Sequence, residues 1–224
     1  MEFDLFIRYG PALLNGFGVT VLCWIAGTVL GSILGFALAL GMRTNIRVLT
    51  GVIRVYIEVI RGTPFLVQLF ILYYGGPSFG LVLDPIPAGV IGLTIYGSPY
   101  FAEIFRAGFG AVPPGQVEAA QMLGLSRFTI LRRVMLPQML ISIIPSLTNF
   151  SIILTKETAI LSVITVPELL FEVTTMSTET FAFFEATLAL AIFYWGLVEL
   201  TSYLGRVAEA RFTRHLSVRR EKTT

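Results

Sequence analysis

The chain has 224 residues, of which 55% are hydrophobic and only 13% charged, with a mean hydropathy of +0.80. A soluble domain carries about a quarter charged residues, so this composition points to one membrane domain with no room for a second, soluble one. The net charge of +2 is too small to suggest a nucleic-acid partner, and the single cysteine excludes a disulfide framework or a cysteine-ligated metal site.

At the start, Arg8 is offset by Glu2 and Asp4, and the first apolar segment is longer than a signal core, so it reads as a span rather than a cleaved leader. Asn15 to Leu40 is the first predicted membrane helix, uncharged throughout. Its Gly27-x3-Gly31-x3-Gly35 spacing makes a smooth ridge for close helix packing, either inside the chain or against a second copy. Cys23 lies in this run and reads as a buried thiol.

Arg43 and Arg47 follow, then a second span from Gly51 to Tyr74. Arg54, Glu58 and Arg61 recur at helical spacing, so Glu58 is placed to pair with either arginine, near one membrane surface. Gly62 and Pro64 interrupt the helix, which is tolerated at membrane depth only against protein or a water-filled cavity. The lipid-embedded part is expected from Thr63 to Tyr74. Gln68 within it either faces a solute path or bonds a neighbouring helix.

Gly75 to Pro87 is rich in turn residues and reads as an external loop. Ala88 to Phe109 is the third span, kinked at Gly97-Ser98-Pro99-Tyr100. Glu103 and Arg106 at i,i+3 either neutralise each other or serve a solute. Pro113-Pro114-Gly115 then starts a short polar helix, Gln116 to Leu123, which Gly124 stops. Such a helix between apolar spans is either a spacer or a docking surface, with Ala119-Ala120 as a flat face for a partner.

Arg127, Arg132 and Arg133 lead into a fourth span, Gln138 to Thr155, interrupted by Pro145 and Asn149. Ile160 to Val173 is too short to cross and fits a re-entrant or interfacial segment, with Thr174 to Thr180 an external loop. Phe181 to Leu204 is the fifth span, followed by a basic tail over 206–224 that carries His215. Five spans put the three arginine clusters on one side of the membrane and the N-terminus on the other.

Several strings resemble one family. Glu118-Ala119-Ala120 with Gly124, preceded by Gly115-Gln116 and followed by Leu136-Pro137-Gln138, resembles the EAA loop of ABC importer permeases. Arg61-Gly62-Thr63-Pro64-Phe65-Leu66-Val67-Gln68 is similar to the RGTPLLVQ segment of the polar amino acid subfamily. Tyr100 to Gly108 looks like the family's approach to that loop, and Lys156-Glu157-Thr158-Ala159 like its KDTS stretch, with Ala159 in place of serine. Thr165-Val166-Pro167-Glu168-Leu169 resembles the histidine, cationic amino acid and opine members. The resemblance runs from about Gly16 to Phe212.

It implies an all-α membrane protein of about five spans in the type I, MetI-like arrangement: one permease domain over 1–224, with core about 16–212. The N-terminus would be periplasmic and the tail cytoplasmic, in a bacterial inner membrane. It also implies a cytoplasmic coupling loop at about 110–137, in which Gly115, Gln116, Glu118, Ala119, Ala120 and Gly124 meet an ATPase subunit. ATP and magnesium would be bound by two such ATPases, not by this chain. Further partners would be a second permease, identical or related, a periplasmic solute-binding protein, membrane lipid and a small polar amino acid. No Gly-rich phosphate cradle, HExxH or serine elbow is present, so no catalysis is expected of the chain itself. Gln68, Tyr100, Asn149, Glu157 and Glu168 are the candidate solute contacts, or else caps of a broken helix and its re-entrant partner. Another small nitrogenous solute is the alternative cargo, and an ATP-independent channel or carrier the alternative mechanism.

Overall fold

The computed structural model describes residues 3–220, with side chains over 5–211. The side chains of Glu2, Asp4, Arg214, His215, Arg219, Arg220 and Lys222, which figure in the charge pattern above, lie outside the described residues. Among the described residues every regular element is helical.

Helix α1 spans Phe3–Gly41, starting twelve residues before the predicted span. At about 1.5 Å per residue it is roughly twice as long as a hydrocarbon core is thick. Its extra turns are held by protein: Leu13 is buried, Leu5, Phe6 and Tyr9 pack with it, and the Tyr9 hydroxyl donates to Glu179 at 2.6 Å. Helix α2, Arg47–Gly62, is strongly amphipathic and buries only Ile53 and Ile57. Helix α3, Phe65–Phe70, runs on through a π turn, Ile71–Gly75, and a 3-10 turn, Gly76–Phe79. The expected break at Gly62 to Pro64 is a bend of 107° between α2 and the α3 arm.

Helix α4, Pro85–Gly110, is the centre of the molecule. It shares the largest interface with α1 and also touches α2, α3 and the helices that follow. The glycine ridge of α1 is used here. A Cβ at Gly35 would stand 2.5 Å from Phe101 Cβ and 2.7 Å from the Ser98 carbonyl. Of the two expectations for that ridge, internal packing is the one realised. Pro99 has no N–H for the Ile95 carbonyl, which instead accepts from the Tyr56 hydroxyl of α2 at 3.1 Å and from Ser98 Oγ at 3.1 Å.

Helix α5, Pro114–Met122, is followed by α6, Arg127–Ile130, which continues through a π turn, Leu131–Met135, into α7, Leu136–Glu157. That π turn abuts Pro137, whose missing donor disturbs the ladder there. Beside this turn Gln138 Nε2 donates to the Val134 carbonyl at 2.7 Å. A 3-10 stretch, Thr158–Ile164, leads to α8, Leu169–Thr180, and then to α9, Phe183–Arg220.

Two expectations need correction. Thr174 to Thr180 is not a loop but the second half of α8, because Leu169, Val173 and Met176 at helical spacing bury one face against α1 and α9. Glu58 pairs with neither Arg54 nor Arg61: among the described residues the ion pair is Arg106–Glu103, while Arg61 lies over the Tyr100 ring at 5.4 Å.

Among the described residues three helical stretches are long and apolar enough to cross a membrane, namely Leu5–Gly41, Arg127–Ile164 and Phe183–Arg211, and the bent α2–α3 pair, taken as one span, makes a fourth. Helix α4 is long enough at 26 residues but is less apolar. Its buried glycines and Ser98 face protein rather than lipid.

Candidate functional site

The loop between α4 and α7 is held by backbone geometry more than by side-chain bulk. Pro113 and Pro114 start α5. Gly124 ends it with φ +72°, where its N–H donates to the Gln121 carbonyl and Leu125 N–H to that of Ala120. This is a paired C-terminal cap that favours glycine at the left-handed position. Ser126 then caps α6, its Oγ accepting from Thr129 N–H at 3.2 Å. The Gln138 side chain reaches back from α7 to donate to Gln116 Oε1 at 2.5 Å. The two ends of the loop motif, 22 residues apart in the chain, are thereby tied together.

Gly115, Gln116, Glu118, Ala119 and Gly124 are all exposed. Ala120 is not: it is 5% exposed and belongs to the main core. The flat Ala119-Ala120 face expected from sequence is therefore split, with one alanine out and one in. The outward apolar surface comes instead from Met122, Leu123 and Phe128, at 91%, 79% and 69% exposure. These three are absent from the sequence-based candidates, although apolar residues flanking a helix-ending glycine in a polar loop are a signal for them.

The five candidate solute contacts fall into three places. Gln68 bridges the α2–α3 break, its Nε2 donating to the Ile60 carbonyl at 2.8 Å and to Thr63 Oγ1 at 2.9 Å, while its Oε1 is buried without a partner. Tyr100 lies nearby, below Arg61 and stacked on Phe150 at 4.9 Å. Tyr96 connects Tyr100 to Phe65 by ring contacts and is within electrostatic reach of the half-buried Glu157. Gln68, Tyr100 and Glu157 thus border one region. Asn149 is exposed on a different side of α7, lining a cavity of about 220 Å³ with Thr148, Ser202 and Arg206.

Glu168 stands apart, fully buried at the junction of α1, α8 and α9. Its carboxylate accepts from Leu170 N–H and Phe171 N–H, both at 2.9 Å, and so caps α8. The Thr20 hydroxyl donates to it at 3.4 Å and receives Leu169 N–H at 3.0 Å. Burial pushes this carboxyl above the usual carboxylate range, opposed by the two amide donors.

Residues 12–214 match the family of binding-protein-dependent transport system inner membrane components. The chain belongs to that family. Among curated relatives, it is 36% identical to a probable amino-acid ABC transporter permease protein, PatM, of Vibrio harveyi, over 95% of this chain and 97% of that one. A crystal structure of an amino acid ABC transporter with histidines is 36% identical, with a TM-score of 0.85 over 94% of this chain and 99% of the other. The MetNI methionine ABC transporter in an inward-facing form shares the fold, with a TM-score of 0.72 at 17% identity over 95% of this chain and 99% of the other. This protein is thus the permease subunit of an amino acid ABC transporter, with the MetI-like helical arrangement of type I importers, and a protein of the bacterial inner membrane. In this permease the exposed α5 loop is the surface joined most directly to a long membrane helix, since residues 127–157 run on from it without a break in helicity.

Proposed function

We propose that the permease takes up polar amino acids, cationic ones or opines among them, driven by two ATPase subunits that bind ATP and magnesium and dock on α5. The N-terminus is then periplasmic and the α5 loop and tail cytoplasmic, since this places the clusters Arg43–Arg47 and Arg127–Arg133 inside. A periplasmic binding protein delivers the solute, and a second permease, identical or related, completes the pore. The observation that carries this reading is the α5 unit itself. It is a capped, exposed helix with an apolar rim of Met122, Leu123 and Phe128, tied by Gln116 and Gln138 to the start of α7. A docked subunit that moves α5 would move α7, and with it Glu157 and Phe150.

On the solute side, Gln68, Tyr100 and Glu157 are offered as contacts along one wall, and Asn149 as a contact lower on α7. Glu168 would act by holding α8 in place. The acidic group of Glu157 near aromatic rings suits an ammonium or guanidinium. The tilt towards cationic solutes rests on this and on the resemblance around Glu168.

The test is affinity purification of the tagged full chain from bacterial membranes, with mass spectrometry of what stays bound and uptake of labelled arginine and glutamine in the same cells. An ATPase should be recovered with the native chain. Met122→Asp, at a position too exposed to disturb folding, should reduce that recovery and the uptake by about tenfold, as expected for loss of an interface anchor. Recovery of the chain alone, with uptake indifferent to Met122→Asp and Glu118→Ala, would favour an ATP-independent carrier instead.

A further inference from the structure

Helix α2 carries three stripes. Ile53 and Ile57, with Tyr56 beside them, face the core. A second stripe is charged: Arg47, Arg54, Glu58 and Arg61 recur at spacings of three, four and seven, so they lie along one line of the helix. The third stripe, next to the charged one, is Val48, Val52, Val55 and Val59, at 77%, 62%, 60% and 56% exposure. A helix with apolar and basic stripes side by side and only two buried residues is built for the boundary between headgroups and acyl chains.

The charged stripe opens onto two cavities. One, of about 540 Å³, lies over the turn after α1 and is lined by Thr44, Asn45, Arg47, Thr50 and Arg54. The other, of about 410 Å³, lies between α2 and α4, lined by Arg43, Arg54, Glu58, Arg61, Glu103 and Arg106. Arg54 borders both. Glu103 is engaged by Arg106 at 2.9 Å, and Arg43 rests on the Phe109 ring at 4.8 Å. Arg61 likewise lies over the Tyr100 ring, so of the lining arginines Arg47 and Arg54 remain, with the Glu58 carboxylate on the Arg54 side. Arg43, Arg106 and Phe109 stand at the ends of α1 and α4, on the same side as the α5 loop that follows α4. The groove is therefore at the level of the membrane surface rather than its midplane.

We propose that the first of these cavities is a binding site for the headgroup of an anionic phospholipid, with the phosphate between Arg47 and Arg54 and the acyl chains along the valine stripe. The polar side chains of Thr44, Asn45 and Thr50 suit the hydroxyls of a phosphatidylglycerol headgroup. The site needs the membrane placement of the chain but not its coupling to an ATPase. Its failure and that of the transport reading are therefore distinguishable: one is read in lipid retention, the other in ATPase recovery.

The experiment is native mass spectrometry of the full chain in detergent, titrated with dioleoyl phosphatidylglycerol or dioleoyl phosphatidylethanolamine. The native chain should retain phosphatidylglycerol preferentially. Arg47→Gln and Arg54→Gln, both at exposed positions, should each weaken that retention about fivefold, the contribution of one basic residue near an anionic surface. Arg8→Gln, at the opposite end of α1, should leave it unchanged. Equal retention of the two lipids by the native chain would overturn the proposal without recourse to any variant. Displacement of the lipid by inorganic phosphate at the same concentration would assign the groove to a free anion and overturn it too. A cross-link formed by Val52→Cys to a second permease in membranes would place protein, not lipid, on the valine stripe, and the proposal would fall on that result as well.

Discussion

Gly35 and Gly18 lie on the same helix and differ in what surrounds them. A Cβ at Gly35 meets Phe101 Cβ, the Ser98 carbonyl and Ala102 N–H, all parts of α4 that cannot swing aside, whereas Gly18 has nothing within 4 Å. Gly35→Ala must therefore separate two helices and is expected to cost about 1–3 kcal/mol, the range for overpacking a filled interior. Gly18→Ala is expected to be neutral or to stabilise by up to about 1 kcal/mol through helix propensity. Thermal unfolding of the two variants in detergent checks this, and equal shifts would mean that the α1–α4 contact is not what Gly35 serves. The regular glycine spacing is legible in the sequence; its destination is not. Periodicity identifies a smooth face but not what covers it, and here the cover is Phe101, on a helix far along the chain. Gln68 is similar: its place in a broken span is readable, but the carbonyls its amide reaches, Ile60 and Thr63, depend on a bend of 107° that Gly62 and Pro64 permit without setting.

Helix α8 shows how one side chain can decide an element. Its first turn would leave the amides of Leu170 and Phe171 without partners in a buried setting, and the Glu168 carboxylate takes both. Removing the acceptor exposes the full desolvation cost of those two donors, while the Thr20 hydroxyl keeps the Gly16 carbonyl as acceptor. Glu168→Ala is accordingly expected to destabilise by roughly 1–3 kcal/mol. Glu168→Gln keeps one acceptor oxygen and should lose markedly less. Amide exchange at residues 169–173 should rise in the alanine variant, with α5 unaffected. If alanine and glutamine variants unfold alike, the charge rather than the cap is what matters at this position. The composition of Thr174 to Thr180 conceals this helix in the sequence, since a run of threonines with Ser177 and Glu179 has the polarity of a loop. The counter-signal is Leu169, Val173 and Met176 at helical spacing, continuous with the segment before it. Polar residues on the other face of α8 are exposed and hydrogen-bond their own turn, as Thr174 and Thr178 do to Leu170 and Thr174 carbonyls.

At the scale of the molecule, α4 is the element around which the others pack, and it is less apolar than the three long candidate spans although its bounds are legible in the sequence. The two facts have one cause. A helix surrounded by protein needs small residues for close approach and tolerates polar ones that find partners, as Ser98 does with Tyr56 at 2.7 Å. Lipid-facing helices such as α1 and α9 instead advertise themselves in the sequence, though hydropathy does not fix their ends. The outer turns of α1 are secured by α8 and α9 through Leu5, Phe6 and Tyr9. Around this central helix the attachment is uneven: twelve residues of α4 are buried, but in α5 only Ala120 is. Stability should follow the same gradient. Amide exchange of the solubilised chain is therefore expected to be slowest in α4 from Gly92 to Phe109, and faster by orders of magnitude in Pro114 to Ser126, where few apolar contacts oppose local opening. Binding of an ATPase to α5 would protect that segment specifically, with little change in α4. Slow exchange of α5 in the free chain, matching that of α4, would show that the loop is already rigid and fused to the core. Motion delivered at α5 would then have to displace the whole helical body, not α7 alone.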